Sequence, residues 1–273
     1  MNSVEFRRTL ASTVGRIIRR LERDGVQLPR DLRAYKTFRK RETIEQKLIR
    51  KVGAVQRAQL GHILELLGDP PNINNLTPAF WESAAKELVA AIQPLLVEAQ
   101  IEQAQEILDD NPAIGVDWAV VNKEAMDWAN KYTFDLVKGI NDTSRELLQS
   151  SVSSYFEQEM TIGQLEDLLA PSFGPMRAEM IAVTEVTNAA SHGESDVLHQ
   201  IQEQGIEMEA TFETNDDEKV CDICGPLDGK VADGFDDDGE PYWVHPDSGE
   251  KYGPPSLHPR CRCWWTMGFK EKE

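Results

Sequence analysis

A cluster of cysteine and histidine residues near the C-terminal end limits the folds that are open to this chain. All four cysteines lie within the last 53 of its 273 residues. They form two short motifs, Cys221-x2-Cys224 and His258-x2-Cys261-x-Cys263, which are 33 residues apart. A C-x2-C turn directs two thiolates at one ion, and a second motif of this kind completes a tetrahedron. The pattern predicts a zinc ion that ties two distant turns together.

Five donors are present for the four positions of a zinc site. We expect Cys221, Cys224, His258 and Cys261 to bind the ion, with Cys263 as a substitute or a bystander. Such a zinc would be structural, because four protein ligands leave no open position for a substrate. Disulfides, or free thiols in a small core, are the alternative. The N-terminal sequence does not resemble a signal peptide, so we expect a reducing cytoplasm, which favours metal over disulfides.

The charge of the chain is divided unevenly. Residues 1–60 contain 16 Lys and Arg but only 6 Asp and Glu, a net charge of +10. The whole chain carries −18, so the other 213 residues carry −28. Such asymmetry is typical of a protein with a charged partner. We expect the basic segment to bind an acidic protein surface or nucleic acid, and a solvated helix pair that balances the acidic body is the alternative.

Helical periodicity dominates the first three quarters of the sequence. Apolar residues at helical spacing, together with capping residues, predict helices at about 3–24, 31–67, 77–108, 117–136, 143–159, 161–169 and 176–204. The Gly-, Pro- and Asn-rich stretch 68–76 is a candidate domain boundary. No run of about 18 apolar residues occurs, so we expect no membrane-spanning helix.

After Gly205 the periodicity changes from helical to alternating. Residues 206–213 alternate between apolar and polar side chains, which predicts a half-buried strand, and short strands are expected near 242–244 and 263–269. The acidic stretch 233–241 could hold calcium, but it lacks the ligand order of an EF-hand. We therefore expect a solvated loop there.

These elements predict an α+β fold. Its N-terminal and middle parts are predominantly α-helical, and a small β-rich C-terminal lobe packs on helices and is stapled by the Cys/His cluster. We expect three regions: a basic helical arm at 1–70, a helical middle region at 71–145 and a C-terminal domain at 146–273. Within the last of these, the β-rich lobe occupies residues 206–269.

Three segments of the C-terminal half resemble the phage Mu F-like head morphogenesis family. They read RAEMIAVTEVTNAASHGES (177–195), TFETNDDEKVCDICGPLDGK (211–230) and GPPSLHPRCRCWW (253–265). The resemblance covers about residues 145–269, and its specificity lies in the ordered combination of the three segments. The matching positions are Arg177, Ile181, Thr184, Glu185, Asn188, Asp217, Cys221, Cys224, Asp228, Gly229, Pro254, Pro255, His258, Pro259, Cys261, Arg262 and Cys263.

Two positions depart from the family pattern. Many relatives have Arg where this chain has Val183, and Trp where it has Phe212. The first departure removes a charge from the helix, which puts in doubt any contact with an anion or partner at that position. The second keeps an aromatic side chain, so a role in the core is expected to be retained.

The resemblance implies a structural protein of the phage head. Such a minor capsid protein would be present in few copies, would contact the portal and capsid proteins, and would act in procapsid assembly and in DNA packaging or delivery. It would be found in the virion, in the head interior or portal region, after assembly in the host bacterial cytoplasm. Packaged DNA is a second candidate partner for the basic arm. No enzymatic activity and no membrane contact are implied.

A zinc-dependent nucleobase deaminase is the rival hypothesis. His192-x-Glu194, followed by Cys221-x2-Cys224, is similar to the H-x-E…P-C-x-x-C signature of those enzymes. Val220 stands where that signature has proline, and His192 is predicted to lie on a helix. This hypothesis leaves His258, Cys261 and Cys263 without a role. We therefore expect a structural protein.

Overall fold

The computed structural model describes residues 30–110, 115–214 and 220–269. The chain divides into two compact units, residues 1–42 and 43–273. The helix predicted at 3–24 lies outside the described residues. The contacts discussed below all lie within the second unit.

Five α-helices make up the helical part of the described chain. They are α1 (Arg30–Leu67), α2 (Pro78–Asp110), α3 (Trp118–Glu157), α4 (Ile162–Leu169) and α5 (Pro175–Glu203). The caps expected at Asp117 and Thr161 are confirmed, whereas the helix expected to start after Asp31 already includes Arg30. The side chain of Asp117 accepts a hydrogen bond from the backbone of Ala119, and Thr161 and Gln164 form a reciprocal capping box ahead of α4.

The two helices predicted at 117–136 and 143–159 are one continuous helix. The hydroxyl groups of Thr143 and Ser144 donate to the carbonyls of Gly139 and Ile140, four residues earlier. These polar side chains are therefore satisfied within the helix and do not interrupt it.

The strands are short, antiparallel and confined to the C-terminal lobe. Strand β1 (Met208–Glu213) pairs with β5 (Trp264–Phe269), and Phe212 lies opposite Trp265. Residues 229–232 form backbone hydrogen bonds along the other side of β1. A second small sheet contains β2 (Gly234–Phe235), β3 (Pro241–Val244) and β4 (Lys251–Tyr252), in that order. The predicted α+β class is confirmed.

The C-terminal half of α5 and the β lobe share one hydrophobic core. Val197, Leu198 and Ile201 of α5 lie in the same buried cluster as Phe212, Trp243 and Trp265. Phe212 is fully buried with its ring edge against Trp243, at 5.4 Å between ring centroids, which confirms the aromatic core role expected at this position. Three of the four cysteines, Cys224, Cys261 and Cys263, belong to this cluster.

The helices α1, α2, α3 and α5 form a second core, in which α5 is central. Its N-terminal half, including Ala178 and Ala182, packs with residues of the other three helices. Val183 is also fully buried, so this position faces the protein interior. In the part of the chain that the structure describes, no helix is both long enough and apolar enough to span a membrane.

Candidate metal centre

The first metal-binding turn lies between β1 and β2. Cys221 begins a turn that Gly225 closes by donating its backbone N–H to the carbonyl of Cys221, at 2.9 Å. A single 3-10 turn, Gly225–Leu227, follows, and Cys224 is its N-cap residue. The compact backbone brings both thiol groups to the same side, as the C-x2-C spacing predicted.

The second turn contains the other three donors. The backbone N–H of Cys261 donates to the carbonyl of His258 at 3.1 Å, which closes the turn, and Arg260 adopts a left-handed backbone with φ of 65°. Residues 261–263 precede β5 and have no strand pairing. The alternation of a regular strand therefore does not apply, and Cys261 and Cys263 can both face Cys224.

The fold brings the five predicted donors into two neighbouring groups of three, and not into the single expected set of Cys221, Cys224, His258 and Cys261. They form two groups of close donor atoms that share Cys224, one with Cys221 and His258 and the other with Cys261 and Cys263. The Nε2 atom of His258 lies 3.1 Å from Sγ of Cys221 and 3.3 Å from Sγ of Cys224. The Sγ atoms of Cys224 and Cys261 are 4.0 Å apart, and all four cysteines are free thiols.

The Cys224–Cys261 distance is close to that of a tetrahedral zinc site, whereas the two His258 distances are shorter than in such a site. Bond lengths of about 2.3 Å to sulfur and about 2.0–2.1 Å to nitrogen place two sulfurs about 3.8 Å apart and a sulfur and nitrogen about 3.6 Å apart. The Nδ1 atom of His258 lies 2.9 Å from the carbonyl oxygen of Pro259. Because a carbonyl only accepts, Nδ1 carries the proton and Nε2 keeps its lone pair for an ion. The residues present can therefore hold a metal.

The buried thiols perturb each other's ionisation. The hydrogen bond to Cys261, together with burial and the other thiols, raises the pKa of Cys224 far above its ordinary value. The same contact, with a second from Cys263, lowers the pKa of Cys261 to about 2. The raised pKa of Cys224 and the lowered pKa of Cys261 correspond to one thiolate, at Cys261, among neutral thiols. A cation bound among them would stabilise further thiolates.

Helix α5 holds the second turn from outside the lobe. The hydroxyl of Thr184 accepts a hydrogen bond from the backbone N–H of Arg260 at 2.9 Å. One helical turn later, the hydroxyl of Thr187 donates to the carbonyl of Cys261 at 2.6 Å, in a buried environment. Thr184 was among the family positions, whereas Thr187 was missed. Its spacing of three residues from Thr184 on a helix was the signal that could have found it.

A second contact from outside the lobe comes from α1. Arg262, which lies between two of the donor cysteines, places both Nε and Nη2 3.3 Å from Oε2 of Glu45. The Glu45 side chain is 3% exposed and that of Arg262 is 19% exposed. Glu45 was not predicted, because no local pattern relates two residues that are 217 positions apart.

The residues of the deaminase hypothesis lie elsewhere. His192 packs against Trp128 of α3, with 4.5 Å between ring centroids, and burial lowers its pKa. Glu194 is fully buried in α5. Among the described residues, the groups that could hold a metal contain His258 and not His192. The acidic loop 233–241 is likewise absent from these groups, and Asp236 there accepts backbone hydrogen bonds from Asp238 and Glu240.

The remaining family positions on α5 make structural contacts. Arg177 is partly buried and donates to the hydroxyl of Ser144 and to the carbonyls of Ile140 and Ser172. Glu185 accepts a hydrogen bond from the hydroxyl of Tyr132 at 2.6 Å. Burial raises the pKa of Glu185, and burial together with this carboxylate raises that of Tyr132. Asp217 lies outside the described residues.

The fold and site together define a class: a helical protein whose C-terminal β lobe contains a largely buried cluster of four cysteines and a histidine. Residues 148–266 match the model of one family, described as "Phage Mu protein F like protein". The resemblance seen in the sequence of this C-terminal region is thereby confirmed. No curated protein and no solved structure matches the chain.

Proposed function

We propose that this protein is a minor capsid protein that acts in phage head morphogenesis. The observation that carries the proposal is the match of residues 148–266 to the phage Mu F-like family, in a region that contains α5 and the whole Cys/His cluster. The family positions on α5 contact other helices or the second metal-binding turn, as structural residues would. We assign no catalytic step to the chain.

The metal in this proposal is a structural zinc ion. Cys221, Cys224, His258 and Cys261 would hold it, and Cys263 would be a fifth donor able to replace Cys261. Three thiolates and one imidazole fill a zinc site, so the ion would supply folding free energy and no chemistry on a substrate. The small β lobe has few apolar side chains outside the shared core, which favours such a staple.

Single Cys→Ser variants test the ligand set. Cys221→Ser and Cys224→Ser should each lose zinc from the purified protein, because the first turn has no spare donor. Cys261→Ser should lose less than either, since Cys263 lies within the same group of donors. If Cys263→Ser loses more zinc than Cys261→Ser, then Cys263 is the fourth ligand and Cys261 is the spare donor.

The partners in this proposal are the portal and the capsid proteins. Residues 1–60, with a net charge of +10, are the candidate contact, and packaged DNA is the other partner such a segment would suit. The two partners differ in salt response: a DNA complex loses affinity with a log–log slope of about −0.9 per neutralised phosphate. Deletion of residues 1–42, which leaves the core residues Ile44 and Leu48 in place, followed by co-purification with portal, capsid protein and DNA at two salt concentrations, tests the assignment.

The proposed organisation follows the three regions expected from the sequence. The segment 1–70 would supply the partner-binding arm, although its residues from 43 onward also pack in the second unit. Residues 71–145 would be a helical connection, and 146–273 the head-morphogenesis domain with its lobe at 206–269. The protein would be assembled in the host bacterial cytoplasm and would remain in the virion, in the head interior or the portal region.

Protein analysis of phage particles tests the function. Procapsids and virions purified from a phage that encodes this chain should contain it in few copies relative to the major capsid protein. A phage with the gene deleted should form fewer infectious particles. Particles that lack the protein altogether, together with normal yield from the deletion phage, would exclude a role in the head.

The deaminase hypothesis has a separate test. It requires His192 as a ligand, whereas the structural site uses His258. We expect His258→Ala to lose zinc and His192→Ala to keep it, and we expect neither protein to deaminate cytidine or adenosine. Deamination that Glu194→Ala abolishes and His258→Ala leaves intact would replace the structural proposal with the enzymatic one.

A further inference from the structure

The second metal-binding turn depends on helices for its conformation. Residues 261–263 carry two donors but have no strand pairing to fix them. Their fixed contacts with the helical part come from the side chains of α5 and α1. Thr184 and Thr187 hold the backbone at residues 260 and 261, and Glu45 holds the side chain of Arg262.

We propose that Glu45 is a positioning residue of the metal centre, because its ion pair with Arg262 holds Cys261 and Cys263 where they can bind the ion. The inference rests on the metal site proposed above. Arg262 lies directly between these two cysteines in the chain, so any rotation of its backbone moves both thiols. Two nitrogens of its guanidinium approach one carboxylate oxygen of Glu45, which fixes the side chain at its far end.

The burial of this pair separates it from an ordinary surface ion pair. Exposed pairs exchange freely with water and constrain little. Glu45 is almost fully buried, so water cannot readily replace Arg262 at its carboxylate. The pair is therefore held closed. Residues that orient metal ligands in this way commonly change metal affinity about 10- to 100-fold when they are replaced.

The coupling must also act in the opposite direction. If Glu45 improves metal binding, then the bound metal must stabilise the contact between the lobe and α1 by the same factor. Zinc would thus serve as more than a staple within the lobe. It would join the lobe to a helix that belongs to the other hydrophobic core, in which Ile44 and Leu48 flank Glu45 in the sequence.

The test measures zinc affinity in the full chain by competition with a chelator. Glu45→Gln should bind zinc about 10- to 100-fold more weakly than the parent protein. Arg262→Gln should do the same, and the double variant should lose no more than either single variant, because one contact is removed in all three. Cobalt-loaded Glu45→Gln should also show altered visible absorption if the ligands have moved. Arg262→Gln gives the same test should Glu45→Gln fail to fold.

Ser144→Ala is the matched control. It removes a buried hydroxyl that accepts a hydrogen bond from Arg177 at 3.2 Å, in the helical part and without contact with the second turn. Its zinc affinity should equal that of the parent. Unchanged affinity in Glu45→Gln, or losses that add in the double variant, would overturn the positioning role while leaving the metal site in place. A parent protein that binds no zinc would overturn the metal site itself.

Discussion

The hydroxyl of Thr187 donates to the carbonyl oxygen of Cys261 at 2.6 Å, and both residues are buried. This contact joins the middle of α5 to a donor residue of the cluster across 74 positions of sequence. The Cys261 carbonyl accepts this hydrogen bond in a buried environment. The stability of the lobe therefore depends on a helix that contributes no metal donor.

Thr187→Val tests this dependence. Valine has nearly the same shape but cannot donate, so the buried carbonyl of Cys261 loses its partner, at a cost of about 1–3 kcal/mol. Denaturant-induced unfolding monitored by tryptophan fluorescence measures the change. Thr143→Val is the control, because Thr143 is exposed and its hydroxyl bonds within its own helix. Equal stability of the two variants would show that the Thr187 contact contributes nothing.

Metal removal should act mainly on the lobe. Trp243 and Trp265 share a core with Cys224, Cys261 and Cys263, so loosening the cluster should change the environment of these two rings. We expect a chelator to shift tryptophan fluorescence strongly and to leave most of the far-ultraviolet helical signal, and we expect added zinc to reverse the shift. Identical spectra before and after complete metal removal would contradict a folding role for the ion.

Much of the fold could be predicted from the sequence, because helices and strands leave local patterns. The capping box at Thr161, the start of α3 after Asp117 and the strand β1 are all signalled by neighbouring residues. The five clustered donors were visible for the same reason, since metal-binding turns have short, fixed spacings. The contact between Glu45 and Arg262 has no such signal, because it depends on how two distant elements pack.

The break predicted between residues 136 and 143 does not occur. Ser and Thr are disfavoured in helix interiors when their hydroxyls compete for backbone hydrogen bonds. Here the hydroxyls of Thr143 and Ser144 donate to carbonyls four residues earlier, and the helix continues. The burial of Ser144 against α5, through Arg177, was not accessible from local spacing. Packing, and not intrinsic preference, decided that α3 is continuous.

The crossing of α2 and α5 requires glycine at position 193. A Cβ atom there would lie 2.2 Å from the backbone carbonyl oxygen of Gln100, and a backbone atom cannot move aside as a flexible side chain can. We expect Gly193→Ala to destabilise the protein by about 1–3 kcal/mol, measured by chemical denaturation. Gly61→Ala on α1, where no atom lies within 4 Å of the new methyl group, should instead stabilise by about 0.5–1 kcal/mol. Destabilisation in both variants would point to a general effect of alanine.

Because of Asp196, the free energy of unfolding should decrease as the pH rises from about 4 to about 6. Burial raises its pKa to about 6, and the hydrogen bond from the Gln100 amide, at 2.5 Å, opposes this rise. In the unfolded chain the pKa is about 3.9. Between these values the folded protein retains a proton that the unfolded chain has lost, so rising pH favours unfolding.

Asp196→Asn should remove that contribution. Relative to the parent protein, the variant should gain about 1–3 kcal/mol of stability on going from pH 4 to pH 7, measured by denaturation at each pH. Asp135→Asn removes the same charge from an exposed position of α3, so its difference from the parent should stay nearly constant over this range. A parallel pH dependence in both variants would contradict the role of burial at Asp196.

Native mass spectrometry of the full chain, purified under reducing conditions without added metal, shows whether the Cys/His cluster binds an ion. We expect one zinc ion per chain and, after denaturation, four free thiols. A Cys221→Ser variant prepared in the same way should carry no zinc. If the parent protein carries no metal and its denatured mass reveals two disulfides, the proposal of a metal centre is wrong and the cluster is a covalent staple.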